Sequence, residues 1–358
     1  MAAAPPRTYF AGQLAGEKPL TQRTATRLCR LAAEAGFIRP WRALVEEQLI
    51  AVVRKRGCEP DFVSVLGALG EHRAIHVYPG FRGYSWYQDV IHAQDATRLL
   101  VTECEALQLS YPDPDEITDP DMELIRGCRF APREPVFQFR SARPGYLPWY
   151  PNKEECRRLA DCLDATMALL TTGLVLTHRD ELWPDDGQTL PLLLKKSGSW
   201  RITQVKFART PVNPPRLWVS EERLASLPPS RKAGALCLGD WVMPGCAGGV
   251  DDRPVALHLL AVVENRSGFA FPPRLREPGE VLAAAATDGL LDAIVCHGAV
   301  PKTVLVTDPY YVDSLAEVAR VAGFEIKLRR KLPMLDELFQ ALAGMAGGGI
   351  PDSPHPVQ

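Results

Sequence analysis

The sequence predicts an α+β domain followed by an α/β domain built on a mixed sheet. Three observations carry that reading. The first half holds short β-rich runs between amphipathic helical segments; the last third sets three strands in series and then alternates helices with strands; and a proline-dense stretch separates the two patterns. A chain of 358 residues fits about two domains. With 46% hydrophobic and 23% charged residues it can fill a buried core in each.

In the first domain, Leu28, Leu31, Ala32 and Ala35 recur at helical spacing within Thr21 to Ala35, and Gly36 supplies a stop. Leu49 to Val53, Phe62 to Leu66 and Ala74 to Tyr78 are β-rich runs divided by turn residues, as in an antiparallel meander. Glu154 to Leu170 places Cys156, Leu159, Cys162, Leu163, Met167 and Leu170 on one helical face. Leu190 to Leu194 and Trp200 to Phe207 flank Lys195-Lys196-Ser197-Gly198-Ser199 as the arms of a hairpin.

Pro211, Pro214, Pro215, Pro228 and Pro229 then punctuate the chain, and proline fits neither a helix interior nor a central strand. The expected organisation is a domain over 1–208, a linker over 209–234, a second domain over 235–345, and a disordered tail over 346–358, where Gly347, Gly348 and Gly349 precede three prolines. A short helical turn is expected at Ser220 to Leu227.

The second domain reads as strands at Ala235 to Trp241, Val255 to Val263 and Phe269 to Phe271. A helix over Pro278 to Cys296 follows, then an apolar strand at Thr303 to Thr307 and a helix over Val312 to Ala322. A strand at Glu325 to Leu328 and a helix over Met334 to Leu342 end the series. The order β-β-β-α-β-α-β-α requires a mixed sheet with helices on its faces.

Charge and cysteine content narrow the function classes. Lys and Arg number 41 against 43 Asp and Glu, a net of -2, so bulk charge holds the chain on neither nucleic acid nor anionic lipid. No apolar stretch approaches the ~18 to 20 residues of a membrane span, and Met-Ala-Ala-Ala-Pro-Pro does not read as a secretory signal. Nine scattered cysteines without a C-x-x-C fit reduced thiols in a cytoplasmic protein better than disulfides or structural zinc.

Acids fall at particular places in the second pattern. Asp240 stands in Cys237-Leu238-Gly239-Asp240-Trp241 on its first strand, Asp308 closes Val304-Leu305-Val306-Thr307-Asp308, and Asp336 and Glu337 head the last helix. Over Leu236 to Leu342 this arrangement resembles the ribonuclease H-like cores of retroviral integrases and DDE-type transposases. The resemblance implies a carboxylate set in which Asp240 and Asp308, with Asp336 or Glu337, share two Mg²⁺ or Mn²⁺ ions about 4 Å apart for phosphodiester chemistry. Each acid also has a purely architectural reading. Asp240 turns the chain after Gly239, Asp308 caps a helix that opens with Pro309, and Asp336 and Glu337 complement a helix dipole.

From Lys232 to Leu342, 11 Lys and Arg stand against 14 Asp and Glu, with one basic cluster at Lys327, Arg329, Arg330 and Lys331. A phosphate-backbone binder normally presents a basic face. The expectation is therefore a non-catalytic binding or regulatory protein with a degenerate ribonuclease H-like domain, needing no cofactor and meeting a protein partner rather than nucleic acid or membrane. The alternative is a nuclease or phosphoryl transferase using the acids with Mg²⁺ or Mn²⁺.

Weaker motifs remain. His178-Arg179-Asp180 matches a kinase tripeptide without its context, and Gly80-Phe81-Arg82-Gly83 reads either as a backbone-approaching loop for RNA or as a glycine turn among core aromatics. Phe137 to Pro151 is rich in aromatics and Arg, so Arg140, Tyr146 and Trp149 are candidate binding residues, with packing beneath the Glu154 helix as the alternative. Across Val63 to Tyr87, Phe137 to Leu163 and Arg253 to Leu342 the chain resembles a family of uncharacterised bacterial two-domain proteins, which implies an architecture and no mechanism.

Overall fold

A computed structural model describes residues 20–70, 72–92, 103–128, 136–207, 220–229, 231–248 and 253–346. The expectations for the first residues, for the proline-rich stretch 208–219 and for the tail from 347 lie outside the described residues. The chain forms two compact units, Met1–Thr210 with Gly248–Pro254, and Pro211–Ala247 with Val255–Gln358. Both combine helices with a mixed sheet. Among the described residues no helix is long and apolar enough to cross a membrane.

In the first unit, α1 (Gln22–Ile38) runs past the expected stop at Gly36, which is buried inside the helix. The left-handed residue that ends it is Arg39, at φ 57°, with its amide on the Ala35 carbonyl at 2.8 Å. Strands β1 (Ile50–Val53), β2 (Asp61–Leu66) and β3 (Ala74–Tyr78) form the meander, and the Gly80 to Gly83 motif then opens α2 (Gly80–His92) instead of a loop. Glycine is required at Gly83, where a Cβ would lie 2.7 Å from the Tyr78 carbonyl carbon. Tyr84, Trp86 and Tyr87 are core aromatics.

The chain continues through β4 (Ala106–Ser110), α3 (Asp119–Gly127), β5 (Gln138–Ala142) and α4 (Lys153–Thr171). Short helices α5 (Leu174–Thr177) and α6 (Arg179–Leu182) lead into the hairpin of β6 (Thr189–Lys196) and β7 (Ser199–Lys206). Its two turn residues, Ser197 and Gly198, both have positive φ, matching the right-handed twist of the arms.

The sheet order is β5-β4-β3-β2-β1-β6-β7, antiparallel except where β6 lies parallel to β1. Strand alternation divides the apolar side chains. Ile50, Val52, Val63, Val65, Ile75 and Val77 meet α1 and α4, while Ala51, Phe62 and Tyr78 meet the α2 aromatics.

In the second unit, α7 (Glu221–Ala225) is capped by Ser220, and β8 (Arg231–Ala247) begins inside the stretch read as linker. It pairs with β9 (Val255–Glu264), and the register slips between Val242 and Cys246, where Pro244 has no amide to donate. The third strand is β10 (Arg274–Leu275); the expected run Phe269 to Phe271 contributes only a bridge from Ala270 to Val263. Then follow α8 (Leu282–His297), β11 (Val300–Val306), α9 (Pro309–Ser314), α10 (Ala316–Ala322), β12 (Glu325–Leu328) and α11 (Pro333–Ala346). The single helix expected at Val312 to Ala322 is thus two helices.

This sheet runs β10-β9-β8-β11-β12, with β8 to β10 antiparallel to their neighbours in the meander and β11 and β12 parallel to β8. Leu236, Leu238, Leu260, Val262, Val304 and Val306 face α8, α9 and α10. Cys237, Ala261, Val263 and Leu305 lie on the opposite face under Leu335, Leu338 and Phe339 of α11.

The start of α4 carries a complete capping box. The Asn152 side chain accepts from the Glu154 and Glu155 amides, and the Glu155 carboxylate accepts from the Asn152 amide at 2.8 Å. Asn152→Ala is expected to lower the unfolding free energy by about 1 kcal/mol in urea titrations; an unchanged midpoint would show that the box does not hold the helix.

Candidate functional site

The parallel pairing of β8 with β11 runs to Leu305 opposite Cys237; Asp240 lies three residues further along β8, and Asp308 lies two residues past the end of β11. Alternation places Asp240 on the sheet face of Leu236, Leu238, Val304 and Val306. Asp240 and the helix that Asp308 caps share one face of the sheet, whereas Asp336 and Glu337 sit exposed at the start of α11, on the other face.

Asp240 is nearly buried, with 10% of its side chain exposed, and both oxygens are held. Tyr311 on α9 donates its hydroxyl to Oδ1 at 2.6 Å, and His258 Nε2 lies 2.7 Å from Oδ2. His258 Nδ1 is in turn 3.4 Å from Nη1 of Arg276. A guanidinium only donates, so Nδ1 accepts, and the proton of a neutral imidazole sits on Nε2, where it donates to Asp240. Arg276 is fixed by donating Nε to the Glu280 carbonyl at 2.7 Å, and Nη2 donates to the same oxygen. Tyr311, His258 and Arg276 are 1%, 2% and 5% exposed, so this is a buried chain of four polar side chains ending in opposite charges.

Asp308 is the N-cap of α9. Its carboxylate accepts from the Tyr310 amide at 2.8 Å, with Pro309 in the first helical turn. Among the described residues, no three His, Cys, Asp or Glu side chains form a group suited to a metal ion. A shared pair of hard cations needs free carboxylate oxygens at about 2.0 to 2.6 Å, and the short hydrogen bonds on Asp240 occupy the donor set that such ions would use.

The other candidates lie in the first unit. Arg140 on β5 forms a two-pronged ion pair with Asp121 of α3, at 2.9 and 2.7 Å, and donates also to Gln138 and to the Phe139 carbonyl. Its guanidinium covers the ring of Tyr150, 5.1 Å from the centroid, and burial pushes the Tyr150 phenol up. The Trp149 ring lies tilted against Tyr150, centroids 5.1 Å apart, and Trp149 pairs its backbone with Ser141. Tyr146 is half-buried in the intervening turn, its amide on the Arg143 carbonyl.

The sequence reading missed the partners that fix these groups: His258, Tyr311 and Arg276 around Asp240, and Asp121 beneath Arg140. It also missed Arg253, which is fully buried and donates to the Ser141 carbonyl at 2.7 Å, with Glu155 at 3.9 Å. The available signal was a polar residue inside an apolar run: His258 interrupts Val255 to Val263, and Tyr311 follows a helix start by two residues.

Two domain families match the chain. Residues 26–188 are similar to DUF7309 and residues 235–343 to DUF6930, each a domain of unknown function. No curated protein matches it. The first match lies in the first unit and the second covers most of the second unit together with Gly248–Pro254 of the first, and all four residues of the Asp240 chain stand within the second match.

The hydrogen bond from Tyr311 serves a buried carboxylate, and such bonds contribute about 1.5–3 kcal/mol. Tyr311→Phe, which keeps the ring and its packing, is expected to lower the unfolding free energy by about 2 kcal/mol in denaturant titrations of the full chain. A loss below about 0.5 kcal/mol, within the range of inert surface substitutions, would mean that Asp240 does not depend on it.

Proposed function

We propose that the protein is a non-catalytic binding or regulatory protein whose second unit is a ribonuclease H-like module with its acid positions turned to architecture. One observation carries the reading: both oxygens of Asp240 are held, by Tyr311 and by His258. The fold assignment is supported by the strand order third-second-first-fourth-fifth, with the last two strands parallel to the first. That arrangement lays the strand of Asp240 beside the strand that precedes Asp308. The loss of catalysis is supported by the cap formed by Asp308, by the placement of Asp336 and Glu337 across the sheet, and by the acidic balance of the unit. A protein partner in a reducing, cytoplasmic setting suits nine free thiols and a near-neutral chain.

The competing reading, a Mg²⁺- or Mn²⁺-dependent nuclease using Asp240, Asp308 and Asp336 or Glu337, draws on the parallel pairing of β8, which carries Asp240, with β11, which Asp308 follows. It requires Asp240 to exchange two short hydrogen bonds for metal.

Thermal melts separate the readings. The parent should melt at the same temperature with and without Mn²⁺, and Asp308→Ala should cost about 1 kcal/mol as a lost cap. A Mn²⁺-dependent rise in melting temperature that Asp308→Ala abolishes, together with metal-dependent cleavage of DNA or RNA, would overturn the proposal, because a ligand bound only to the native state stabilises by mass action.

A further inference from the structure

The first unit contains a cavity of about 750 Å³ that none of the preceding chemistry uses. Four arginines line it: Arg39 after α1, Arg42 in the 3₁₀ turn Pro40–Arg42, Arg73 before β3, and Arg179 opening α6. Among the described residues no acidic side chain lines it. In a chain with nearly equal numbers of acids and bases, four arginines on one concave surface with no acid among its described lining residues is a segregation, and like charges held together favour an anion between them.

The arginines differ in how they are held. Arg179 donates to Gln48 Oε1 at 2.7 Å, and that same oxygen accepts from the Val45 amide, so its guanidinium is aimed by a buried side chain. Arg39, Arg42 and Arg73 are exposed and make no ion pair among the described residues. Arg39 occupies a left-handed backbone position that glycine adopts without strain and arginine does not. A strained residue whose side chain faces a cavity is a reason to look for a role in that cavity.

The floor is rigid. Trp41 and Tyr111 are buried, their ring centroids 5.1 Å apart, and the Tyr111 hydroxyl donates to the Ala32 carbonyl at 2.7 Å. On one wall the turn at Gly67 closes directly onto Arg73, because a Cβ at Gly67 would stand 2.8 Å from the Arg73 Cα.

We propose that this cavity binds a small ligand carrying two phosphate groups. Guanidinium forks match phosphate oxygens in pairs, and the several negative charges of a diphosphate offset most of the charge of four arginines. The ligand is either a free diphosphate or a phosphorylated organic molecule whose apolar part rests on the Trp41 and Tyr111 floor. The site does not depend on the reading of Asp240, and each can fail alone.

Isothermal titration calorimetry of the full chain with inorganic pyrophosphate, ADP and adenosine tests it. Pyrophosphate is expected to bind one site per chain, more weakly as salt is raised, and adenosine not at all. ADP binding more tightly than pyrophosphate identifies an organic ligand, and equal affinity identifies the diphosphate alone. Arg42→Ala and Arg73→Ala should each weaken binding about tenfold, the scale of one charge-assisted hydrogen bond. Arg39→Gly should weaken it similarly with a melting temperature no lower than the parent's, which keeps loss of binding distinct from loss of fold. The proposal is overturned if neither pyrophosphate nor ADP binds at millimolar concentration, or if the three substitutions leave the affinity unchanged. It is also overturned if a single-stranded RNA binds more tightly than either through Arg73.

Discussion

The carboxylate of Asp240 is the constraint on which the second unit depends. A buried charge is costly unless its lone pairs are filled and an opposite charge stands near. Here Tyr311 and His258 fill them, and Arg276 supplies the charge one imidazole away. The four groups come from β8, from α9, from β9 and from the segment after β10. One polar chain thereby ties the meander to the helix that follows the fourth strand. Removing a member takes a hydrogen bond from a buried neighbour in an apolar surrounding, and such networks specify one arrangement over its competitors.

That constraint also bears on function. An acid on the first strand and an acid at the end of the fourth are what a two-metal site needs, and the topology lays β8, which carries Asp240, beside β11, which Asp308 follows by two residues. The same positions are good places for structural work. A strand end beside a helix start offers a tyrosine hydroxyl to one carboxylate and an orphan amide to the other. Residue type and placement alone do not separate chemistry from architecture; the partners of each oxygen do.

How far the sequence could be read follows from the range of the forces involved. The α4 helix has a one-sided apolar stripe and a local cap, and the β6 and β7 hairpin has a two-residue turn, so both were legible within a residue or two. Glu325 to Leu328 and the helical start near Met334 were legible for the same local reasons. Strands β4 and β5 and helix α2 were not. Ala106–Ser110 and Gln138–Ala142 owe their strand state to pairing with β3 and with one another, and the aromatics of α2 owe theirs to the face of the sheet they cover. Arg39 at a helix end and the grouping of Gly248–Pro254 with the first unit are tertiary facts, without a local propensity behind them. At the site, positions were legible and partners were not, because Asp240 meets Tyr311 across 71 residues of chain.

The most direct measurement of the central claim is anomalous diffraction from crystals of the protein soaked in Mn²⁺. If Asp240 is a structural carboxylate, the anomalous map is empty beside it, and the Tyr311 hydroxyl and His258 Nε2 remain at hydrogen-bond distance from its two oxygens. A Mn²⁺ peak bridging Asp240 and Asp308, with Tyr311 or His258 displaced, would contradict the account.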